Sequence, residues 1–184
     1  MTYPIEIAGC RRELPLCRLT DDLMIAGFVI FGDVELTCAC AKALLEKAPE
    51  YDYILAPEAK AIPLVHEMAR QSGQNEYFIA RKKKKAYMTE VFEVEDHSLT
   101  TEGVQTLCID GADAAKMRGK RILLLDDVIS TGGSIAAVEQ LARQAGAVVA
   151  GRMAILAEGD AAKRNDIIVL NTLPLFDRTG KPLK

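Results

Sequence analysis

The segment RILLLDDVISTGGSI, residues 121–135, sets two adjacent acids, Asp126 and Asp127, directly before a turn of hydroxyls and glycines: Ser130, Thr131, Gly132, Gly133 and Ser134. Glycines let backbone N–H groups close on an anion, hydroxyls add donors, and a helix beginning there would contribute its positive N-terminal end. Such a turn suits a phosphate monoester. Two carboxylates would repel that phosphate, so they are expected to face something neutral or cationic farther along the same ligand. Vicinal hydroxyls with a divalent cation nearby meet that description. A sugar phosphate satisfies both demands, with the acids on the ribose and the turn on the 5-phosphate. The bland alternative is a helix-capping turn that happens to follow two acids. The segment has neither the lysine of GxxxxGK followed by Ser or Thr nor the glycine spacing of GxGxxG, which disfavours a nucleoside triphosphatase or a dinucleotide-binding site.

These residues need a scaffold that brings them to one edge of a sheet, and the flanking periodicities supply one. The apolar run Ile122–Leu125 reads as a buried strand and SIAAVEQLARQAG (134–146) as a helix with Ile135, Val138, Leu141 and Ala145 turned inward. AVVAGRMAILAEG (147–159) reads as the next strand. Earlier, TCACAKALLEKAP (37–49) predicts a helix opened by Thr37 and closed near Pro49. YDYILAP (51–57) predicts a strand, IPLVHEMARQSG (62–73) a helix with Pro63 in its first turn, and EYFIA (76–80) another strand. Strand–helix–strand alternation implies a parallel sheet covered by helices, with ligands beyond the carboxyl ends of the strands. The stretch 82–103 is irregular. VFEVE and VQTLCID around it alternate like the arms of an exposed antiparallel hairpin with the polar tip DHSLTTEG, long enough to suggest function.

Composition narrows the class. At 184 residues and 49% hydrophobic content the chain fits one domain with a substantial core. Lys plus Arg number 23 against 26 Asp plus Glu, so nucleic acid is not an expected partner. No apolar run approaches the roughly 18 residues of a membrane span, and no leader pattern opens the chain, so a soluble cytoplasmic protein is expected. Cys10, Cys17, Cys38, Cys40 and Cys108 are odd in number and lack CxxC spacing, which argues for reduced packing residues over a disulfide framework or zinc site. His66 reads as a helix-surface or packing residue and His97 as a solvated residue of the hairpin tip.

LLLDDVISTGGS closely resembles the phosphoribosyl pyrophosphate (PRPP) signature of type I phosphoribosyltransferases, in which apolar residues and two acids lead through a spacer to TGG and Ser or Thr. LAPEAKAIPLVHEMA (55–69) resembles the pyrophosphate loop of the purine members, and ARKKKKAY (80–87) the basic strand end that begins their mobile loop. GFVIFGDVEL (27–36) is similar to an early FRD segment, with Gly32 in place of the arginine. Over about residues 28–157 the resemblance is to the adenine phosphoribosyltransferases most of all.

The resemblance implies an α/β type I phosphoribosyltransferase fold spanning residues 1–184 as one domain. It would have a core at about 28–157, a flexible loop at about 82–103, and a small hood made by the N-terminal segment and the C-terminal tail. It implies Mg²⁺-dependent displacement of pyrophosphate from PRPP by a purine base, giving a nucleoside monophosphate, with adenine the expected base. Xanthine, hypoxanthine or guanine are alternatives, as is a PRPP-sensing regulator without turnover. A pyrophosphokinase-like or amidophosphoribosyl member is a third class, disfavoured by the missing second domain and N-terminal cysteine.

By the same resemblance, Ser130, Thr131, Gly132, Gly133 and Ser134 would fix the 5-phosphate, and Asp126 and Asp127 the ribose, with Mg²⁺ reaching them through PRPP and water and not as a direct protein site. Lys60, flanked by the backbone of Ala59 and Ala61, would take pyrophosphate, assisted by Arg81 and Lys82, with Lys85 swinging in as the loop closes. Glu90 would be the loop's acid, and Phe28 or Phe31 would stack on the base. The family carries glycine where Ala61 stands, so its methyl group is expected to disturb the pyrophosphate loop. A homodimer is implied.

Overall fold

A computed structural model describes residues 1–96 and 105–183. The elements in chain order are β1 (Thr2–Ile7), β2 (Cys10–Arg18), β3 (Leu23–Ala26), α1 (Val34–Leu45), β4 (Tyr53–Pro57), α2 (Ile62–Gln71), β5 (Phe78–Ala80), β6 (Phe92–Asp96) and β7 (Gln105–Ile109). They continue with α3 (Gly111–Met117), β8 (Arg121–Ile129), α4 (Gly133–Gln144), β9 (Val148–Glu158), a 3-10 turn (Gly159–Lys163), β10 (Ile168–Leu173) and β11 (Phe176–Asp177). Five strands form a parallel sheet in the order β10-β9-β8-β4-β5. Among the described residues, no helix is long and apolar enough to cross a membrane.

Helices cover both faces of this sheet, which is why β8 is apolar without alternation. Leu123 and Leu125 pack with Leu36 of α1 and Leu64 and Met68 of α2. Ile122 and Leu124 pack on the other side with Ile135, Val138 and Leu141 of α4. The inward residues expected on α4 are all buried, Ala145 included.

A second, antiparallel sheet, β1-β2-β3-β11, joins residues 2–26 to the far end of the chain. Its Ile5, Ile7, Leu14, Ala26 and Phe176 share the α1/α2 core. Arg12 of β2 ties it to α1 through bonds to Asp33 at 2.6 and 2.9 Å and to Glu35 at 2.8 Å, and the guanidinium holds the Asp33 carboxyl below its usual range.

Three expectations are corrected. Helix α1 starts a turn before Thr37, because Asp33 is the N-cap and its carboxylate accepts from the Leu36 N–H at 3.1 Å. Thr37 instead donates its hydroxyl to the Asp33 carbonyl, and the helix ends at Leu45, ahead of Pro49. The hairpin arms β6 and β7 pair as expected, but one face is buried rather than exposed: Val94, Leu107 and Ile109 enter the α4 core. The tip at 97–103, with His97, lies outside the described residues. Finally, β8 does not stop at the acids. It continues to Ile129, paired with β9 from Asp126↔Ala154 to Ile129↔Ala157.

Candidate active site

The cleft follows from the lengths of neighbouring strands. β4 pairs with β8 only through Leu55↔Leu124, then diverges with β5 to the Pro57↔Ala80 pair. Beyond Leu124 the β4 side of β8 is therefore unpaired, and a cavity of about 440 Å³ opens there. Asp126 and Asp127 line it despite being only 8% and 3% exposed. They lie neither in a dry core nor turned away from the glycine pair, since Ser130, Thr131, Gly132, Gly133 and Ser134 line the same cavity.

The two acids differ electrically. Oδ1 of Asp126 accepts from the Asp127 backbone N–H at 2.8 Å, and Oδ2 of Asp127 pairs with the Lys60 ammonium at 2.8 Å. Burial, and then the adjacent Asp127 charge, hold the Asp126 carboxyl well above its usual range. A protonated carboxyl both donates and accepts, which suits a hydroxyl partner.

The turn after β8 is shaped by Gly132, which is left-handed at φ +84° and serves as the N-cap of α4. It has no side chain to cap the helix, so the helix start is open to an anion supplied from outside. The left-handed backbone requires glycine here, and a Cβ would also lie 2.6 Å from Nη1 of Arg164, a contact that the flexible end of that arginine can relieve by shifting.

Lys60 lies in the turn between β4 and α2. Ala61, the N-cap of α2, has φ −73° and ψ −12°, an ordinary right-handed conformation, and is buried. Its backbone conformation is one that any residue adopts, so the turn itself does not call for glycine here. Ala59, Lys60 and Lys82 line the cavity. Arg81 does not: its guanidinium donates to the Tyr87 hydroxyl at 2.9 Å and faces Glu58 at 3.6 Å, while its backbone bridges Cys108. Lys85 and Glu90 also stand outside the cavity lining, and Glu90 has a positive φ of 50°. Phe28, 5% exposed, both joins the core and lines the cavity. Phe31, 51% exposed, does neither. His66 is exposed on α2, edge-on to Tyr77.

Two acidic residues not singled out from the sequence belong here. Glu58 accepts from the Lys82 backbone N–H at 2.9 Å, tying the basic stretch to the Lys60 turn. Glu158, at the end of β9, lines the cavity beside Leu173, and burial raises its carboxyl. Each is an acid that follows an apolar run, the sequence pattern that also marks Asp126.

Among the described residues no group of three or more His, Cys, Asp or Glu is arranged to hold a metal. Two adjacent carboxylates are the donor set suited to magnesium carried in by a phosphate ligand and its waters.

This combination of a doubly covered parallel sheet, an acid pair and a glycine-hydroxyl turn at a helix start defines a type I phosphoribosyltransferase fold. The phosphoribosyl transferase domain model matches residues 38–176, and the chain belongs to that family. It is 32% identical over 130 residues to orotate phosphoribosyltransferase of Pyrococcus horikoshii, a match covering 68% of this chain and 59% of that protein. It is 30% identical over 149 residues to adenine phosphoribosyltransferase of Nocardia farcinica, covering 79% and 75%. Among solved structures, adenine phosphoribosyltransferase from Thermoanaerobacter pseudethanolicus superimposes with a TM-score of 0.65 at 23% identity, covering 78% of this chain and 84% of that one. The Saccharomyces cerevisiae enzyme complexed with adenine gives 0.62 at 19% identity, covering 92% and 93%. At these identities the superpositions establish the fold.

Proposed function

We propose that the protein transfers the 5-phosphoribosyl group of PRPP to a purine base, adenine in the first place, releasing pyrophosphate and forming the nucleoside monophosphate. The observation carrying this reading is a single cavity that holds an open helix start, an acid pair, a lysine and an apolar wall contributed by Ile25–Phe28 and Leu173. Each part of a phosphoribosyl donor and a planar base finds its chemistry there.

In this reading the amides and hydroxyls of residues 130–134 fix the 5-phosphate, and Asp126 and Asp127 hold the ribose hydroxyls. Lys60 exchanges Asp127 for the pyrophosphate, with Lys82 beside it. As the anomeric bond breaks, positive charge grows on the sugar and negative charge on the leaving group. The Asp127 carboxylate, and the Lys60 ammonium once it has moved to the pyrophosphate, would stabilise the two charges, and a single such group is typically worth about 10²–10³ in rate. Mg²⁺, held through PRPP near Asp126 and Asp127, would neutralise the leaving group. The neutral or amino-bearing base packs under the small sheet, which acts as a hood, and Phe28 supplies an aromatic edge. The assembly we propose is a homodimer.

Relatives named as adenine phosphoribosyltransferases support adenine, and relatives named as orotate phosphoribosyltransferases at similar identity support orotate as the second reading. Product formation from PRPP and Mg²⁺ with adenine, guanine, hypoxanthine, xanthine and orotate tests the choice. Turnover of adenine supports the first reading; turnover of orotate or xanthine without adenine overturns it.

A further inference from the structure

The cavity divides by chemistry. Its anion-binding part is the glycine-hydroxyl turn with Lys60 and Lys82, and the acids of β8 stand between. The remaining wall includes Ile25, Ala26, Phe28 and Leu173, and Glu158, paired with Leu173, borders it. The sheet register fixes this placement. Ala157 pairs with Ile129, the last residue of β8, and Glu158 pairs with Leu173, the last residue of β10. Ala157 belongs to the α4 layer whereas Leu173 belongs to the layer shared with the small sheet, so alternation along β9 turns Glu158 toward the hood. Among the described residues its carboxyl has no hydrogen-bond or ion-pair partner. The mechanism above leaves it unused.

We propose that Glu158 is the specificity-determining residue for the base, pairing with the exocyclic amino group and adjacent ring nitrogen of a 6-aminopurine. This rests on the transferase reading above and deepens it. A carboxyl kept neutral presents one donor beside one acceptor. That pair complements an amino group next to an unprotonated ring nitrogen, the edge adenine offers. A 6-oxopurine can be met by the same carboxyl with its proton on the other oxygen, so the discrimination falls on an anionic base: orotate brings a carboxylate into a cavity already lined by four acids, Glu58, Asp126, Asp127 and Glu158. Burial favours the neutral form of Glu158, although Lys60 opposes it. A polar site discriminates by leaving its own groups unpaired when the wrong edge enters, which is more selective than a purely apolar pocket.

Two variants of the full chain test this, Glu158→Leu and Glu158→Gln, assayed with PRPP and Mg²⁺ against adenine, hypoxanthine and orotate. Leucine removes the pair and is expected to lower kcat/KM for adenine roughly 10- to 100-fold. The loss should fall on adenine, with the KM for PRPP unchanged and the adenine-to-orotate ratio collapsing. Glutamine keeps one donor and one acceptor and is expected to stay within about threefold of the wild type for adenine, since the matched pair survives. Wild-type-like adenine kinetics in the leucine variant, or an equal loss for all bases with a raised PRPP KM, overturns the inference while leaving the transferase reading intact. Failure of that reading shows in the wild type alone. Should the wild type turn over no base, calorimetric titration of adenine into the PRPP-loaded protein decides. Binding weakened by leucine and kept by glutamine sustains the role of Glu158, and no adenine binding overturns it.

Discussion

Replacing Lys60 with methionine should destabilise the free protein, and the geometry sets the size. The ammonium is 2.8 Å from Oδ2 of Asp127, whose side chain is 4% exposed, whereas the lysine side chain is 49% exposed. At an effective dielectric constant of about 20, two charges at that distance attract by roughly 6 kcal/mol, an upper bound before desolvation. Removing one partner of a fully buried pair costs about 3–5 kcal/mol, and exposed pairs contribute under about 1. With one partner buried and one half in solvent, about 2 kcal/mol is expected. For a chain of this size that lowers Tm by roughly 4–8 °C.

Asp127→Asn should cost less, because the stranded lysine can turn to solvent and the repulsion with Asp126 disappears. The double variant should resemble Asp127→Asn alone, giving a coupling energy of about 1–2 kcal/mol in urea-unfolding cycles. Additive single variants, or a Lys60→Met protein within about 0.5 kcal/mol of the wild type, would refute the reasoning. The same lysine is proposed to leave Asp127 for pyrophosphate, so its loss should also raise the KM for PRPP.

Three further outcomes follow. Gly132→Ala should cost about 1 kcal/mol from the left-handed backbone and weaken PRPP binding in calorimetry. Adding Arg164→Ala should relieve the steric share of the loss but not the conformational share. Asp126→Asn should raise Tm at neutral pH while lowering turnover by about 100-fold or more. The folded carboxyl is raised, so its contribution is fully present below the unfolded value and is lost as pH rises through the folded one; asparagine avoids that loss. Glu67, held down to about 2 by Arg70, Gln71 and Cys38, behaves in the opposite sense. Its contribution exists above the unfolded carboxylate value and fades as pH falls toward 2. Because Arg70 is 64% exposed, Glu67→Gln should cost only roughly 1–2 kcal/mol at pH 7, a gap that closes in acid melts.

The proposed phosphate end of the site is readable from the sequence because one contiguous segment builds it. A buried strand, a turn and a helix follow without interruption from Arg121 to Gln144, so the order of residues is already their order in space. The parallel sheet was readable for the same reason, since each strand–helix–strand unit carries its own periodicity. Boundaries were less so: Asp33 rather than Thr37 caps α1, and that choice is reinforced by Arg12, 21 residues away on another sheet. Strand β8 runs past its acids because β9 keeps pairing with it after β4 has stopped, and a single strand's pattern does not record how long its neighbours are.

The proposed base end shows why the rest is hidden. Its wall brings Ile25–Phe28 together with Leu173, and the sheet above it pairs Met24 with Phe176, contacts that join positions some 150 apart in the chain. Loop closure over such a distance leaves no local periodicity to read, because each short strand contributes only two or three inward residues to a shared layer. Phe28 and Phe31 are equivalent by type and spacing, yet one lies under the small sheet at 5% exposure and the other stands outside it at 51%. Glu158 is hidden for a related reason: its proposed role depends on Leu173 and the cavity, not on its sequence neighbours. Charge at the carboxyl end of an apolar strand is the local trace that survives. Applied evenly, it marks Glu58 and Glu158 with the same logic that marks Asp126, because a parallel sheet delivers every such residue to the same edge.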